Sequence, residues 1–144
     1  MQVCIVQFLK STETGELNIL QQIPNVQIIR SQEKLGFTFR MNEEQKRHAA
    51  LVQQELFAKA SATALSGSCD LLVLDEIMAA INSGMVEAEQ VKQLICGKPE
   101  ELEVVLTGRN PPEKLIELAD YVSQIQKLKH PFDRGIAARD GIER

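Results

Sequence analysis

The sequence lacks several features that mark common classes of protein. Its 144 residues include no tryptophan and only 4% aromatic residues. No apolar run approaches the roughly 18 residues that are needed to span a bilayer. The first residues also lack the basic stretch and apolar segment of a secretory signal. The sequence therefore predicts no membrane segment and a cytoplasmic location.

Cysteine and histidine are few, and their spacing is unlike that of metal ligands. Cys4, Cys69 and Cys96 are odd in number and form no C-x-x-C pair. His48 and His130 have no cysteine or carboxylate at the spacing that zinc sites use. We expect reduced, mostly buried thiols. We expect neither a zinc site nor a Ser/His/Asp or Cys/His catalytic group.

An excess of positive charge is also absent. The formal net charge of -4 argues against a protein whose main role is to coat nucleic acid or acidic membranes, so any polyanion site must be local. With 44% hydrophobic residues, the chain is long enough to bury a core. We expect one domain that spans residues 1–144.

The sequence has no glycine-rich phosphate-binding loop. Such a P-loop needs a glycine, four further residues and then Gly-Lys-Ser/Thr, so that backbone N–H groups surround the phosphates. The single Gly-Lys pair is Gly97-Lys98, which has Lys92 in place of the first glycine and Pro99 in place of the hydroxyl. It is therefore not a P-loop.

The strongest positive signal is a run of four apolar residues, 71–74, followed by Asp75 and Glu76. The run predicts a strand buried on both faces whose charged end lies where open parallel sheets form their sites. Paired carboxylates at this place hold the magnesium of many nucleotide-binding proteins. The alternative is a solvated turn after an ordinary core strand.

Strand and helix patterns alternate along the chain, which predicts a three-layer α/β fold with a mostly parallel sheet. The predicted strands are residues 3–9, 26–29, 71–74, 102–106 and 121–125. The predicted helices are a short one from residue 17 that ends before Pro24, a long one between Asn42 and Gly67, a short one that follows Glu76 and runs to residues 82–84, residues 87–95, and one that Asn110 caps.

The long helix has the clearest signals. Asn42 and Gln45 can form a capping box, and Gly67 can end the helix in the left-handed conformation. One face is apolar, whereas Gln53 and Gln54 are expected to lie largely off that face.

In a parallel sheet the carboxyl ends of all strands lie at one edge. Residues 7–10, Asp75-Glu76 and residues 107–109 should therefore converge. Two acids for a metal, a cation and a hydroxyl would form a clamp for polyphosphate, although each group alone is more often an ordinary strand end.

Two aromatic residues, Phe37 and Phe39, lie close together in the predicted polar loop of residues 30–42. In an extended loop both rings point the same way. They either pack on a flat apolar ligand or attach the loop to the core.

Seven segments together resemble the ATP:corrinoid adenosyltransferases of the CobA/CobO/BtuR type, in register along essentially the whole chain. They are residues 6–10 (VQFLK), 14–17 (TGEL), 36–39 (GFTF), 72–76 (LVLDE), 104–109 (VVLTGR), 129–132 (KHPF) and 135–139 (GIAAR). The resemblance implies transfer of the 5′-deoxyadenosyl group of ATP to the cobalt of a reduced corrinoid. The acceptor would be cob(I)alamin or cob(I)yrinic acid a,c-diamide, in cobalamin biosynthesis or salvage.

The resemblance also implies roles for single residues. Asp75 and Glu76 match Walker-B-like acids near Mg²⁺ (or Mn²⁺) and the triphosphate, and Glu76 and Arg109 would serve catalysis. Phe37 and Phe39 match a loop that packs on the corrinoid and helps to exclude the lower axial ligand of cobalt. The full set of implied binding residues is Gln7, Lys10, Thr14, Glu16, Phe37, Phe39, Thr107, Gly108, Arg109 and Arg139.

The chain departs from the family pattern at several positions. Phe39 stands where tryptophan is usual, Ser11 follows Lys10 where glycine is usual, and Ala79 stands where tyrosine is frequent. The family's first strand, P-loop and following helix, about thirty residues if they form one strand-loop-helix unit, have no counterpart before Val3.

The resemblance therefore implies a P-loop NTPase (RecA-like) sheet without its first strand and P-loop helix. It further implies a homodimer, with a reductase or a corrinoid-accepting enzyme as a partner. The alternative is a non-catalytic module that binds corrinoid or completes its sheet with another chain, and that has lost ATP binding.

Overall fold

The computed structural model describes residues 1–10, 15–33, 41–139 and 142. They contain a four-stranded sheet with all strands parallel, in the order β2-β1-β3-β4. The strands are β1 (Val3–Gln7), β2 (Val26–Arg30), β3 (Leu71–Asp75) and β4 (Glu103–Leu106). The helices are α1 (Leu17–Leu20), α2 (Glu43–Leu65), α3 (Ile77–Asn82), α4 (Ala88–Gly97) and α5 (Glu113–Ile116), followed by a 3-10 helix at Pro131–Arg134. The predicted α/β fold with a parallel sheet is confirmed.

The strand register brings the predicted site residues into one row. β1 lies between β2 and β3, so Gln7 pairs with Arg30 on one side and with Asp75 on the other. β4 continues the row, because Leu106 pairs with Leu74 and the Thr107 N–H donates to the Leu74 carbonyl. All four carboxyl ends therefore lie at one edge.

The core lies between the sheet and the apolar face of α2. Alternate strand residues are fully buried, among them Val6, Leu72 and Leu74, and they pack with Leu56 and Phe57 of α2. Each large apolar side chain that is buried in this way stabilises the fold by roughly 1.5–3 kcal/mol. The prediction that β3 is buried on both faces was wrong, because its other face is only half-buried.

The predicted boundaries of α2 are confirmed. The Asn42 side chain accepts the Gln45 N–H and the Gln45 side chain accepts the Asn42 N–H, each at 2.9 Å. Gly67 follows the helix with a φ of 68°. One prediction for this helix was wrong, because Gln53 is 1% exposed and lies within the apolar face. Helical periodicity locates that face, but the polarity of a side chain does not exclude it from burial.

Two further predictions were wrong. Residues 121–125 form no strand, and Tyr121 is 93% exposed. Alternation of apolar and polar residues suits a strand, but a strand also needs a neighbour for its backbone groups. Asn110 caps no helix, because α5 begins at Glu113 with Pro112 as its cap. Pro112 disfavours helical geometry at Pro111, which delays the helix.

The segment after β4 leaves much apolar surface exposed. Its large exposed apolar side chains in the described residues are Ile116, Leu118, Tyr121, Val122, Ile125, Leu128, Phe132, Ile136 and Ile142. β4 is also an edge strand. The N–H groups of Glu103 and Thr107 donate to carbonyls of Asp70 and Leu74, so alternation along a parallel strand directs the N–H groups of Val104 and Leu106 to the outer edge.

The three cysteines are free, and Cys96 is exposed whereas Cys4 and Cys69 are buried. No helix in the described part of the chain is both long and apolar enough to cross a membrane.

Candidate functional site

Backbone strain marks the carboxyl edge of the sheet. Within the described ranges, the only non-glycine residues with positive φ are Leu9 (57°), Glu76 (61°) and Asn110 (54°). They follow β1, β3 and β4, respectively. For Leu9 and Glu76 such a conformation costs on the order of 1–3 kcal/mol, whereas asparagine adopts it readily, and strain of this kind concentrates at functional sites. This strain identifies the edge independently of any sequence motif.

Asp75 is at the centre of a polar network at this edge. Its Oδ2 lies 2.8 Å from Lys10 Nζ, and its Oδ1 accepts a 2.9 Å hydrogen bond from the Thr107 hydroxyl. The Thr107 oxygen in turn accepts the Glu76 N–H at 2.9 Å. Both carboxylate oxygens of Asp75 are thus engaged, and the network joins the ends of β1, β3 and β4.

Lys10 is a stable cation in this network. Burial lowers the pKa of its ammonium, but the hydrogen bond and charge of Asp75, together with Glu16, outweigh burial and raise that pKa above its ordinary value. Glu16 Oε1 lies 3.4 Å from Lys10 Nζ and accepts a 3.4 Å hydrogen bond from Gln7 Nε2. Lys10 therefore carries its charge at physiological pH.

An open cavity of about 450 Å³ lies beside the network, lined by Leu9, Glu76, Ala79, Asn82, Ser83 and Arg109. Asn82 Nδ2 donates to the backbone carbonyls of Arg109 (2.9 Å) and Asn110 (3.3 Å), which fixes the loop after β4. Within the described part of the chain, the side chains of Glu76 and Arg109 form no hydrogen bond or ion pair. One anionic and one cationic group are therefore available to a ligand.

Gly108 allows the loop after β4 to approach α3. Its φ is 131°, and a Cβ added there would lie 2.7 Å from Met78 Cβ. The Met78 N–H donates to the Thr107 carbonyl at 3.3 Å across this close contact. Gly108 thus contributes to the site by its backbone conformation and by allowing the loop to pack closely against α3.

The structure brings together Gln7, Lys10, Glu16, Asp75, Glu76, Thr107, Gly108 and Arg109 of the predicted site residues. Arg139 lies in the exposed segment after the 3-10 helix and does not line this cavity. Thr14, Phe37 and Phe39 lie outside the described residues.

Sequence reasoning missed three residues of this edge. Leu9 lies within the predicted segment 7–10, but its backbone strain gave no signal, and neither did the contact of Asn82 across 27 residues, because local patterns specify neither. Gln53 gave a weak signal, because it is a polar residue within an apolar helical face. Its Oε1 accepts the Leu9 N–H at 3.0 Å.

The described residues contain no group of three or more His, Cys, Asp and Glu side chains that could hold a metal ion. Magnesium, however, keeps several waters and usually takes one or two carboxylates together with substrate phosphates. Asp75 and Glu76 fit an ion of this kind. Glu76 is the more accessible ligand, because Lys10 and Thr107 occupy both oxygens of Asp75.

The fold and site define an α/β protein with a network of cations and carboxylates at the carboxyl edge of a parallel sheet. A model of the family described as "ATP:corrinoid adenosyltransferase BtuR/CobO/CobP" matches residues 1–144. The chain is 31% identical over 144 residues to the corrinoid adenosyltransferase of Escherichia coli K12, covering 99% of this chain and 70% of that protein. It is 34% identical over 145 residues to the corrinoid adenosyltransferase of Pseudomonas aeruginosa, with coverages of 99% and 70%. The chain belongs to the ATP:corrinoid adenosyltransferase family.

Proposed function

We propose that this chain transfers the 5′-deoxyadenosyl group of ATP to the cobalt of a reduced corrinoid, either cob(I)alamin or cob(I)yrinic acid a,c-diamide. Family membership supports the reaction. The observation that carries the assignment of the site is the Lys10-Asp75-Thr107 network beside a cavity that Glu76 and Arg109 line.

The reaction is a displacement at carbon. Co(I) supplies the electron pair for the new bond from cobalt to C5′, and the bond from C5′ to oxygen breaks, with its electron pair leaving on the triphosphate. The attacking cobalt carries no proton, so no general base is needed. The demands on the protein are alignment of the two substrates and neutralisation of charge on the leaving group.

The groups at the sheet edge suit these demands. Arg109 would bind the triphosphate as a planar, permanently charged donor. Lys10 would add a second cation close to Asp75. Glu76, the more accessible of the two carboxylates, would hold Mg²⁺ or Mn²⁺ together with Asp75. The ion would neutralise negative charge on the phosphates. Thr107 would keep Asp75 and the Glu76 backbone in register.

We assign the corrinoid side to Phe37 and Phe39 on the basis of the family motif, since both lie outside the described residues. A phenylalanine in place of the usual tryptophan retains an apolar wedge but provides less area and no indole N–H. We expect Phe39 to have the same role as the usual tryptophan and the chain to bind corrinoid more weakly than a chain with tryptophan there.

The test compares transfer with binding. The chain is incubated with MgATP and chemically reduced cobalamin, and adenosylcobalamin is followed by its absorbance. Arg109→Ala should slow transfer far more than it weakens corrinoid binding, whereas Arg134→Ala, on the exposed 3-10 helix, should change neither. Equal losses of transfer and corrinoid affinity in Arg109→Ala would contradict the phosphate role.

A second candidate function is a corrinoid-binding module that another polypeptide completes. The outer edge of β4 and the apolar surface of residues 116–136 favour it. A parallel strand added at β4 would end beside Thr107 and Arg109. Separate titrations discriminate the two, since corrinoid binding without MgATP binding supports the module. Sedimentation analysis would show whether the completing chain is a second copy of this one.

A further inference from the structure

One polar side chain of α2 points into the core. Gln53 is 1% exposed, and its Oε1 accepts the N–H of Leu9 from 44 residues away, at 3.0 Å. This contact defines the orientation of the amide, because only its oxygen can accept. Gln53 Nε2 has no hydrogen-bond partner within the described part of the chain.

An apolar residue would suit this position better for packing alone. A buried amide with an unsatisfied N–H₂ group is destabilising compared with an apolar group of the same shape. The surrounding face of α2 is apolar, with Ala49, Val52, Leu56 and Phe57 buried. Packing alone therefore does not explain Gln53, and its hydrogen bond with the Leu9 N–H is the feature that distinguishes it from an apolar residue.

Leu9 follows β1 and lies between two residues, Phe8 and Lys10, that both contact Asp75. Its φ of 57° is unfavourable for a leucine. On one side the Phe8 N–H donates to the Asp75 carbonyl at 2.9 Å, and on the other side the Lys10 ammonium contacts the Asp75 carboxylate. Between these anchors, the described contact that restrains the Leu9 N–H comes from Gln53.

We propose that Gln53 is a positioning residue, which holds Leu9 in its left-handed conformation and thereby keeps Lys10 against Asp75. Without an acceptor, the Leu9 N–H would lose its partner, and the backbone would relax towards negative φ. That rotation would change the direction of the backbone at Lys10, so the Lys10 side chain would no longer extend towards Asp75. The consequence for ATP rests on the proposed function, whereas the consequence for Lys10 does not.

The first test needs no ligand. Gln53→Met preserves the length of the side chain and removes the acceptor, and Gln54→Met makes the same change at the exposed neighbour. The coupling energy between Lys10 and Asp75 is measured in the wild type and in each variant by a double-mutant cycle of Lys10→Met and Asp75→Asn in urea unfolding. We expect the coupling to be lost in Gln53→Met and to be retained in Gln54→Met.

A coupling energy in folded Gln53→Met equal to that of the wild type would overturn the proposal. If Gln53→Met does not fold, Leu9→Pro is measured instead, because proline removes the same N–H and forbids positive φ. Loss of the coupling between Lys10 and Asp75 is then expected while Gln53 is intact, and a retained coupling would overturn the proposal.

The second test measures steady-state kinetics. Gln53→Met should lower kcat/KM for MgATP by roughly 10- to 100-fold, which is typical when a reacting group is misplaced, while corrinoid affinity and the kinetics of Gln54→Met stay unchanged. Absence of MgATP binding by the wild-type chain would refute the proposed function but would leave the coupling comparison decisive for Gln53.

Discussion

The ammonium nitrogen of Lys10 lies 2.8 Å from Asp75 Oδ2, although 65 residues separate the two in sequence. The parallel register of β1 and β3 produces this contact, because it pairs Gln7 with Asp75 and Lys10 follows three residues later. The pair is only partly exposed, at 32% and 23% of the two side chains. The pairing of β1 with β3 therefore positions the ion pair of Lys10 and Asp75, and the ion pair in turn links the ends of the two strands.

Lys10 and Asp75 should be energetically coupled. In a double-mutant cycle with Lys10→Met and Asp75→Asn, we expect a coupling energy on the order of 1 kcal/mol in urea unfolding, at the upper end for ion pairs near a surface. The control is the more exposed Lys46-Glu43 pair, with a 2.8 Å contact, for which a few tenths of a kcal/mol are expected. Strictly additive effects at Lys10 and Asp75 would contradict the pairing.

The contribution of Thr107 to stability should depend on its hydroxyl group and not on the shape of its side chain. Thr107→Val retains the shape but removes both the donor to Asp75 and the acceptor of the Glu76 N–H. We expect a loss of about 1–3 kcal/mol in the free energy of unfolding, because partly buried groups lose their partners. Thr107→Ser keeps the hydroxyl and should recover most of this loss. Equal stability of the Val and Ser variants would show that the network does not stabilise the fold.

Gly108 should tolerate no side chain. Gly108→Ala places Cβ against Met78 and leaves a φ of 131° that alanine rarely adopts, so we expect a loss of roughly 2 kcal/mol or more. Gly97→Ala is the matched control, because a Cβ there meets nothing within 4 Å and its φ is not positive. It should be neutral or gain up to about 1 kcal/mol of helix stability. Chemical denaturation of both variants measures the difference.

Local chemistry made much of the fold predictable. The capping box of Asn42 and Gln45 is formed within four consecutive residues, and the apolar run before Asp75 specifies a core strand wherever it lies in a sheet. Because strands in a parallel sheet point the same way, the convergence of Asp75, Thr107 and Lys10 followed from topology.

The rest depended on partners that local patterns do not specify. Residues 121–125 have the alternation of a strand, but none of the four strands of the described sheet pairs with them. Gln53 has the polarity of a surface residue, and only the distant Leu9 N–H accounts for its burial. Strain at Leu9 and Glu76 likewise arises from tertiary packing, and neither residue type predicts a positive φ.

Alkaline pH should destabilise the fold through Cys4, which is 1% exposed. Burial raises the pKa of the Cys4 thiol from 9.0 to about 11, and the neighbouring Cys69 adds to this rise. Above pH 9 the unfolded chain releases the Cys4 proton while the folded chain retains it, so the unfolded state binds fewer protons and stability falls as pH rises. The slope should approach about 1.4 kcal/mol per pH unit between the two values, with no contribution from Cys4 at neutral pH.

Lys10 contributes in the same direction, because its raised pKa means that its stabilisation is also lost as pH rises above 10.5. Comparison with Cys4→Ala isolates the thiol. The free energy of unfolding in urea should fall less steeply above pH 9 in Cys4→Ala than in the wild type, even though the variant is less stable at neutral pH because of the cavity it creates. Cys96→Ala, at an exposed thiol, should retain the wild-type slope. Identical slopes in Cys4→Ala and the wild type would mean that Cys4 ionises equally in both states, which would contradict the raised pKa of this thiol.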